Sequence, residues 1–264
     1  MNRLDAELVK RGLATSRERA KEYISAGYVS VNGKTAEKPS EKVSDGDDIK
    51  ITGETLKYVG RGGLKLERAL SEFKIDLRGL TCLDIGASTG GFTDCMLKSG
   101  AKMVYAVDVG HDQLAKPLRE DSRVVNIEGV NAKDISREMF DEPIDFVSAD
   151  LSFISARFAA DAAKAVLSLS AHAVVLIKPQ FEAGRQNLSK GGIVRSLSAH
   201  VSVLRGLCRY FSSLGFEVSG LIPSPIKGGD GNAEYLAHLI NRGAAALCDF
   251  DFKKIAARAL GEKG

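Results

Sequence analysis

From residue 79 onward, short apolar runs alternate with stretches of helical periodicity, and this alternation constrains the fold more than any other feature of the chain. Residues 82–85, 103–107, 124–127, 144–148 and 173–177 read as apolar strands. Residues 92–98, 158–169 and 197–214 read as helices, and 216–222 and 234–240 complete the strand set. Such a pattern predicts an α/β domain, a mostly parallel doubly wound sheet with helices on both faces. A further helix, with Leu66, Ala69, Leu70 and Phe73 on one face, is expected over residues 64–73.

The first part of the chain, from Asn2 to about Thr55, has a different grain. Leu4, Leu8 and Val9 follow helical spacing. Gly12 and the Ala14-Thr15-Ser16 stretch end that helix and start a second, with Ser16 as its N-cap. Ala20, Tyr23 and Ile24 carry an apolar face to Gly27, a natural helix stop. Residues 28–31 alternate like a strand, and Asn32-Gly33 is a hairpin signal. Asp45-Gly46-Asp47-Asp48 marks another turn before Ile49-Lys50-Ile51. The expected organisation is a small α+β domain over 1–57, a linker over 58–63 and the doubly wound domain over 64–264.

The chain has 264 residues and a net charge of +3, so overall charge alone does not imply nucleic acid. The local distribution is more telling. Lys10, Arg11, Arg17, Arg19 and Lys21 crowd one stretch against the single acid Glu18, as a phosphate-binding surface would; a solvated helix face gives the same pattern. Cys82, Cys95, Cys208 and Cys248 form no C-x-x-C pair, and His111, His172, His200 and His238 are scattered, so no metal site is expected. No apolar run approaches the roughly 18 residues of a membrane-spanning helix, and the N-terminus lacks a signal-peptide core. The expectation is a cytoplasmic protein with no membrane partner.

One turn and one downstream acid suggest a nucleoside ligand. Leu83-Asp84-Ile85-Gly86-Ala87-Ser88-Thr89-Gly90-Gly91-Phe92 follows a strand and opens a helix. Its glycines let backbone approach a ligand closely. The order is G-x-S-x-G-G, so the G-x-G-x-x-G dinucleotide fingerprint is not met. Asp108 falls at the end of the next strand, where a carboxylate can accept from ribose hydroxyls. On this segment alone a nicotinamide enzyme remains open.

Four further segments have unusual composition: Arg61-Gly62-Gly63-Leu64-Lys65, Ser148-Ala149-Asp150-Leu151-Ser152, Ile177-Lys178-Pro179-Gln180-Phe181-Glu182 and Gly231-Asn232-Ala233-Glu234-Tyr235. They supply two lysines and two carboxylates. Desolvation and a second cation push an ammonium toward its neutral form, whereas carboxylates oppose this. A neutral lysine can then serve as a base. Lys190, Arg195 and Lys227 are candidate phosphate contacts near the same segments, and each reads equally well as a merely exposed cation.

Arg3-Leu4-Asp5, Ser16-Arg17-Glu18-Arg19-Ala20, Gly27-Tyr28-Val29 and Val31-Asn32-Gly33 resemble the small RNA-binding domain found in a ribosomal small-subunit protein and in pseudouridine synthases. That resemblance implies RNA contacts from Arg3, Ser16, Arg17, Arg19 and Lys21. Residues 58 to about 242 resemble the FtsJ-like ribose 2′-O-methyltransferases, and the whole chain resembles the TlyA family, some of whose members are labelled hemolysins. The resemblance implies a Rossmann-like methyltransferase domain using S-adenosylmethionine, with ribosomal RNA or ribosomal subunits as partner and cytidine ribose as target. It implies Lys178 as base, Lys65 as the neighbouring cation, and Asp150 and Glu234 as orienting carboxylates. Gly86, Ser88, Gly90, Gly91 and Phe92 would form the cofactor turn, Asp108 would hold the ribose and Asp134 would reach the adenine side. The chain departs from the family pattern in Lys227-Gly228-Gly229-Asp230-Gly231-Asn232, where a proline is expected after the first glycine, so Gly229-Asp230 should loosen this loop. A membrane-acting hemolysin and a non-catalytic ribosome assembly factor are the competing readings.

Overall fold

The structure, a computed structural model, describes residues 2–14, 16–25, 27–52, 57–245 and 248–262, with backbone only for Glu18, Glu22 and Ser25. Thr15, expected in the first interhelical turn, and Thr55, the expected end of the first part, lie outside the described residues. By internal packing the chain falls into two units, Met1–Arg61 and Gly62–Gly264.

In the first unit, β1 (Asn2–Arg3) leads into α1 (Leu4–Lys10) and α2 (Arg17–Ser25), followed by β2 (Val29–Val31), β3 (Lys34–Thr35), β4 (Lys42–Val43) and β5 (Ile49–Ile51). The Ser16 hydroxyl accepts the Arg19 N–H at 3.1 Å, as an N-cap should. Gly27, at φ +74°, stops the helix, its N–H bonding Ile24 O at 3.0 Å. Asn32 and Gly33, at φ 51° and 78°, make the hairpin turn between β2 and β3. Leu4, Leu8, Ala20, Ile24, Val29, Val43 and Ile49 close a small core beneath the two helices.

The second unit opens with α3 (Gly62–Phe73), which starts two residues before the expected Leu64. It continues through β6 (Thr81–Ile85), α4 (Gly91–Lys98), β7 (Met103–Asp108), α5 (Lys116–Arg119), β8 (Val124–Glu128), β9 (Ile144–Ala149), α6 (Ala156–Val166) and β10 (Leu167–Ile177). α7 (Leu197–Ser213), β11 (Phe216–Pro223), β12 (Tyr235–Asn241) and α8 (Phe252–Leu260) complete it. The seven strands lie in the order β11-β12-β10-β9-β6-β7-β8. β8, β7, β6, β9 and β10 are parallel, whereas β12 is inserted antiparallel between β10 and β11.

Alternation along the central strands sends side chains to two helical layers. Ile85, Val147, Val175, Tyr235 and Leu239 join the core shared with the alanine-rich face of α6 and with Leu204, Leu207 and Phe211 of α7. The intervening residues face the other way. There Asp84 meets Thr93 of α4, Ser148 meets Met96 of α4, and His238 stacks on Phe73 of α3 at 5.1 Å.

One sequence expectation needs correction, and one helix is new. The sixth helix ends at Val166, and residues 167–169 belong to the long strand β10. Asn241 draws them into the sheet, its amide donating to Leu167 O at 2.9 Å and Ser168 O at 3.1 Å. The α8 helix was not expected; Asp251 caps it by accepting the Lys254 N–H at 2.9 Å.

Two buried ionisable groups oppose each other in their pH dependence. Asp84 is fully buried, and burial pushes its carboxyl up to about 7 despite hydrogen bonds from Thr93 and Ser148. Burial, with the neighbouring His172, holds His238 down at about 4. Asp84 therefore favours the fold most below about pH 4 and loses that contribution as the pH rises to 7, while His238 gains between about 4 and 6.5. Asp84→Asn removes the first slope. Its stability relative to wild type should rise with pH from 4.5 to 6.5, by about 1 kcal/mol per unit. Urea unfolding at three pH values measures this, and a pH-independent difference would contradict it.

Candidate active site

Three strand ends and one helix bring the four expected residues to one edge of the sheet. Asp150 follows β9 and Lys178 follows β10, both at carboxyl ends, where open α/β sheets bind ligands. β12 runs the other way, so Glu234, just before its first residue, reaches the same edge. Ile177 and Tyr235 are register partners, which sets Lys178 and Glu234 side by side. Lys65 comes from the first turns of α3, and Gly62 on the same helix lies against Asp150 and Phe92.

These residues form two ion pairs. The Lys65 ammonium donates to Glu234 Oε2 at 2.6 Å, with side chains only 9% and 3% exposed. Lys178 Nζ stands 2.6 Å from Asp150 Oδ1 and donates to Ser152 Oγ at 2.7 Å. The approach to Asp150 is off the line of a hydrogen bond, so the buried Oδ1 accepts none.

The loops around Lys178 are tied by Glu182. Its carboxylate accepts the Ser155 hydroxyl at 2.8 Å and the Ala156 N–H at 2.6 Å, closing the first turn of α6. Burial raises this carboxyl above its ordinary range, while those two hydrogen bonds pull it back. Phe153, 86% exposed at φ 67°, lies 5.2 Å from the Phe181 ring, joining the same two loops.

A cleft of about 390 Å³ opens beside Asp150, lined among others by Gly86, Ser88, Asp108, Gln113, Asn131 and Leu151. That volume is in the range of about 300–1,000 Å³ common for small-ligand sites. A Cβ on Gly86 would stand 2.7 Å from the Asp150 carbonyl oxygen, and the residue's φ of +82° also demands glycine. The Asp108 carboxylate accepts Ser88 N–H at 2.8 Å and Gly110 N–H at 2.7 Å. Each oxygen keeps a second lone pair for a ligand hydroxyl. A nucleoside cofactor fits this donor set and this close-approach glycine.

Other expected positions stand further from the cleft. Gly90 packs against Leu114 and Leu118, Gly91 starts α4, and Phe92 is buried against Gly62. Asp134 is exposed in a single 3-10 turn and does not line the cleft; Asn131 and Ala132 do. Ser152, which meets Lys178, carried no expected role, although its place two residues after Asp150 was the available signal. The loop of residues 227–232, expected to loosen, is bracketed by Gly228 N–H to Asn232 O and Gly231 N–H to Gly228 O, both 2.9 Å.

In the first unit, the expected RNA-contacting residues also have structural tasks. Arg3 and Arg17 both bind Asp5, Arg3 at 3.0 and 3.1 Å and Arg17 at 2.9 Å. Arg3, with Arg17 behind it, holds the Asp5 carboxyl at about 2, against the effect of burial. Both guanidiniums stay about half exposed, at 43% and 52%. Arg19 donates to Tyr58 O and Val59 O at 3.0 and 2.7 Å, Ser16 caps α2, and Lys21 is exposed. Among the described residues no group of three or more His, Cys, Asp or Glu could hold a metal ion, and no helix is long and apolar enough to cross a membrane.

Comparison with known proteins places the whole chain. Residues 58–240 match the FtsJ-like methyltransferase family, and residues 2–49 match the S4 domain. The 16S/23S rRNA (cytidine-2′-O)-methyltransferase TlyA of Mycobacterium tuberculosis is 41% identical over 261 residues, covering 98% of this chain and 97% of its own. Hemolysin A of Brachyspira hyodysenteriae is 48% identical over 239 residues, covering 90% of this chain and 99% of its own. A Streptococcus thermophilus structure provisionally named a hemolysin superposes with a TM-score of 0.80 at 44% identity, covering 99% of this chain and 96% of that one. The chain belongs to the FtsJ-like methyltransferase family, in the group that carries an S4 domain ahead of the methyltransferase and includes TlyA.

Proposed function

We propose that this protein transfers the methyl group of S-adenosylmethionine to the ribose 2′-hydroxyl of a cytidine in ribosomal RNA, acting on ribosomal subunits or their RNA in the cytoplasm. The observation that carries the proposal is the convergence of the Lys65–Glu234 and Lys178–Asp150 pairs at one sheet edge, with Asp150 also lining the nucleoside-sized cleft. The names of the TlyA relatives support the substrate, and the S4 domain supports RNA as its polymer.

When bound, S-adenosylmethionine supplies a methyl group already activated on a sulfonium. The chain then has two tasks, to position a hydroxyl against that methyl and to remove its proton. Lys178 Nζ, when neutral, would take the 2′-hydroxyl proton as that oxygen displaces sulfur from the methyl carbon, the C–S bonding pair staying on the sulfur. Asp150 and Ser152 fix where Nζ stands. Lys65, locked by Glu234, presents a donor toward the ribose from the helix side. Gly86, Ser88 and Asp108 would hold the cofactor's nucleoside, in a cleft that Asn131 and Ala132 also line.

Calorimetry tests the cofactor assignment. Binding of S-adenosylmethionine, and not of a nicotinamide dinucleotide, is expected. Asp108→Ala should weaken it by about 1.5–3 kcal/mol, the range for hydrogen bonds to a charged group. Binding of the dinucleotide alone would overturn the methyltransferase reading of the cleft.

A further inference from the structure

A second cleft, of about 350 Å³, has Ala233, the residue before Glu234, in its wall. Arg195 and Lys227 line it together with Ile193, Ala233 and Glu262. It is formed where two loops meet, one spanning residues 189–195 ahead of α7 and the other spanning 227–233 ahead of β12. It shares no lining residue with the cleft beside Asp108. Lys227 and Arg195 are both exposed there. The next residue after Lys227, Gly228, lies directly against the Glu234 carboxylate, and Ala233 immediately precedes Glu234.

The two loops are held in place from below by buried polar side chains. Asn232, with no exposed surface, accepts the Val194 N–H at 3.1 Å and donates to Gly192 O at 3.1 Å. Its own carbonyl accepts the Gly228 N–H at 2.9 Å. His200, also fully buried, bonds Val194 O at 3.0 Å through Nε2 and the Tyr235 hydroxyl at 2.7 Å through Nδ1. A carbonyl only accepts, so Nε2 carries the proton and Nδ1 receives the tyrosine's. Burial lowers the imidazole's proton affinity, which favours this neutral form. Arg195 follows Val194, whose N–H and C=O are thus both fixed, and Tyr235 follows Glu234. One network therefore sets the two cations relative to the active-site edge.

We infer that the Arg195–Lys227 cleft binds the phosphodiester backbone of the substrate RNA strand beside the nucleotide being methylated. The inference rests on the proposed RNA substrate. A guanidinium and an ammonium suit phosphate oxygens, one as a planar fork and the other as a point charge. Through Gly228 and Ala233 the cleft wall adjoins Glu234, whose strand start is paired with the strand end that carries Lys178. Glu262, on the wall formed by the end of the chain's last helix, repels the same phosphate and limits how tightly the strand is held.

The test measures binding of a ribosomal RNA fragment to the full-length protein over a series of salt concentrations. Two phosphate contacts contribute about 1.4–1.8 to the slope of log affinity against log salt. Arg195→Ala/Lys227→Ala should flatten that slope by about this amount, raise the KM for RNA at least tenfold and leave S-adenosylmethionine affinity unchanged. Arg78→Ala/Lys102→Ala removes the same charge near the amino ends of β6 and β7 and should leave the slope as it is. Glu262→Gln should tighten RNA binding. A double variant with a wild-type slope, an equal loss in the remote pair, or weaker binding by Glu262→Gln each overturns the inference. RNA binding is read separately from methyl transfer. A wild type that binds RNA with the expected slope but methylates no ribose would count against the proposed reaction and leave the cleft assignment standing.

Discussion

Lys178→Ala and Lys178→Arg should both lose methyl transfer by roughly 10²–10⁴-fold, the usual worth of a positioned general base. Lys178 is the lysine at the carboxyl end of β10, its ammonium 2.6 Å from Asp150 and 2.7 Å from Ser152. The interaction lost on mutation matters mainly in the transition state, so S-adenosylmethionine and RNA affinities should stay close to wild type while kcat falls. The arginine variant is the more informative of the two. It keeps the positive charge beside Asp150, yet a guanidinium remains protonated and cannot accept the hydroxyl proton. Single-turnover methyl transfer, with cofactor affinity measured on the same samples, decides the matter. Near-normal turnover by Lys178→Arg would rule out a lysine base and leave positioning as the whole mechanism.

Lys65→Met should cost about 3–5 kcal/mol of stability, because it leaves Glu234 buried without its counter-ion. The two groups meet at 2.6 Å with almost no solvent, so water cannot replace the missing partner. For a domain of this size such a loss lowers the melting temperature by roughly 10 °C. Pairing it with Glu234→Leu removes the stranded charge and should restore most of the stability, since well-packed apolar pairs replace buried ion pairs at little cost. The paired variant should remain inactive. Urea unfolding of the single and paired variants separates the two effects. A single variant within 1 kcal/mol of wild type, or a paired variant no better than the single, would show that the ion pair does not carry the burden assigned to it.

The fold was legible where burial writes itself into composition. The central strands of a parallel sheet are covered on both sides and read as short apolar runs, so residues 82–85, 103–107 and 144–148 stood out. Strand direction leaves no such mark. Tyr235–Asn241 was readable as a strand, but its antiparallel insertion between β10 and β11 is set by the chain's path. The start of β10 was hidden because an alanine-rich helix runs directly into Leu167-Ser168-Leu169-Ser170, and only Asn241, 74 residues away from Leu167, shows where those carbonyls go. The candidate site was legible in kind and not in geometry. Lys65 and Glu234 are 169 positions apart, and nothing in the sequence says which lysine pairs with which carboxylate. Asp134 was named from the family likeness, whereas the cleft wall is lined by Asn131 and Ala132, three and two residues earlier. The N-terminal arginines read as a phosphate-binding surface, yet Asp5 lies buried beneath two of them, a partner that the charge pattern around Arg17 and Arg19 could not reveal.

The central claim is a chemical one, methyl transfer to a ribose 2′-hydroxyl of ribosomal RNA. It is tested most directly by mapping 2′-O-methylated nucleotides in ribosomal RNA from cells that lack this protein, cells that carry it, and cells that carry only Lys178→Arg. At least one cytidine should be 2′-O-methylated in the presence of the wild-type protein and unmodified in the other two. Identical ribose methylation in all three, or a methyl group that appears on a base instead, would contradict it.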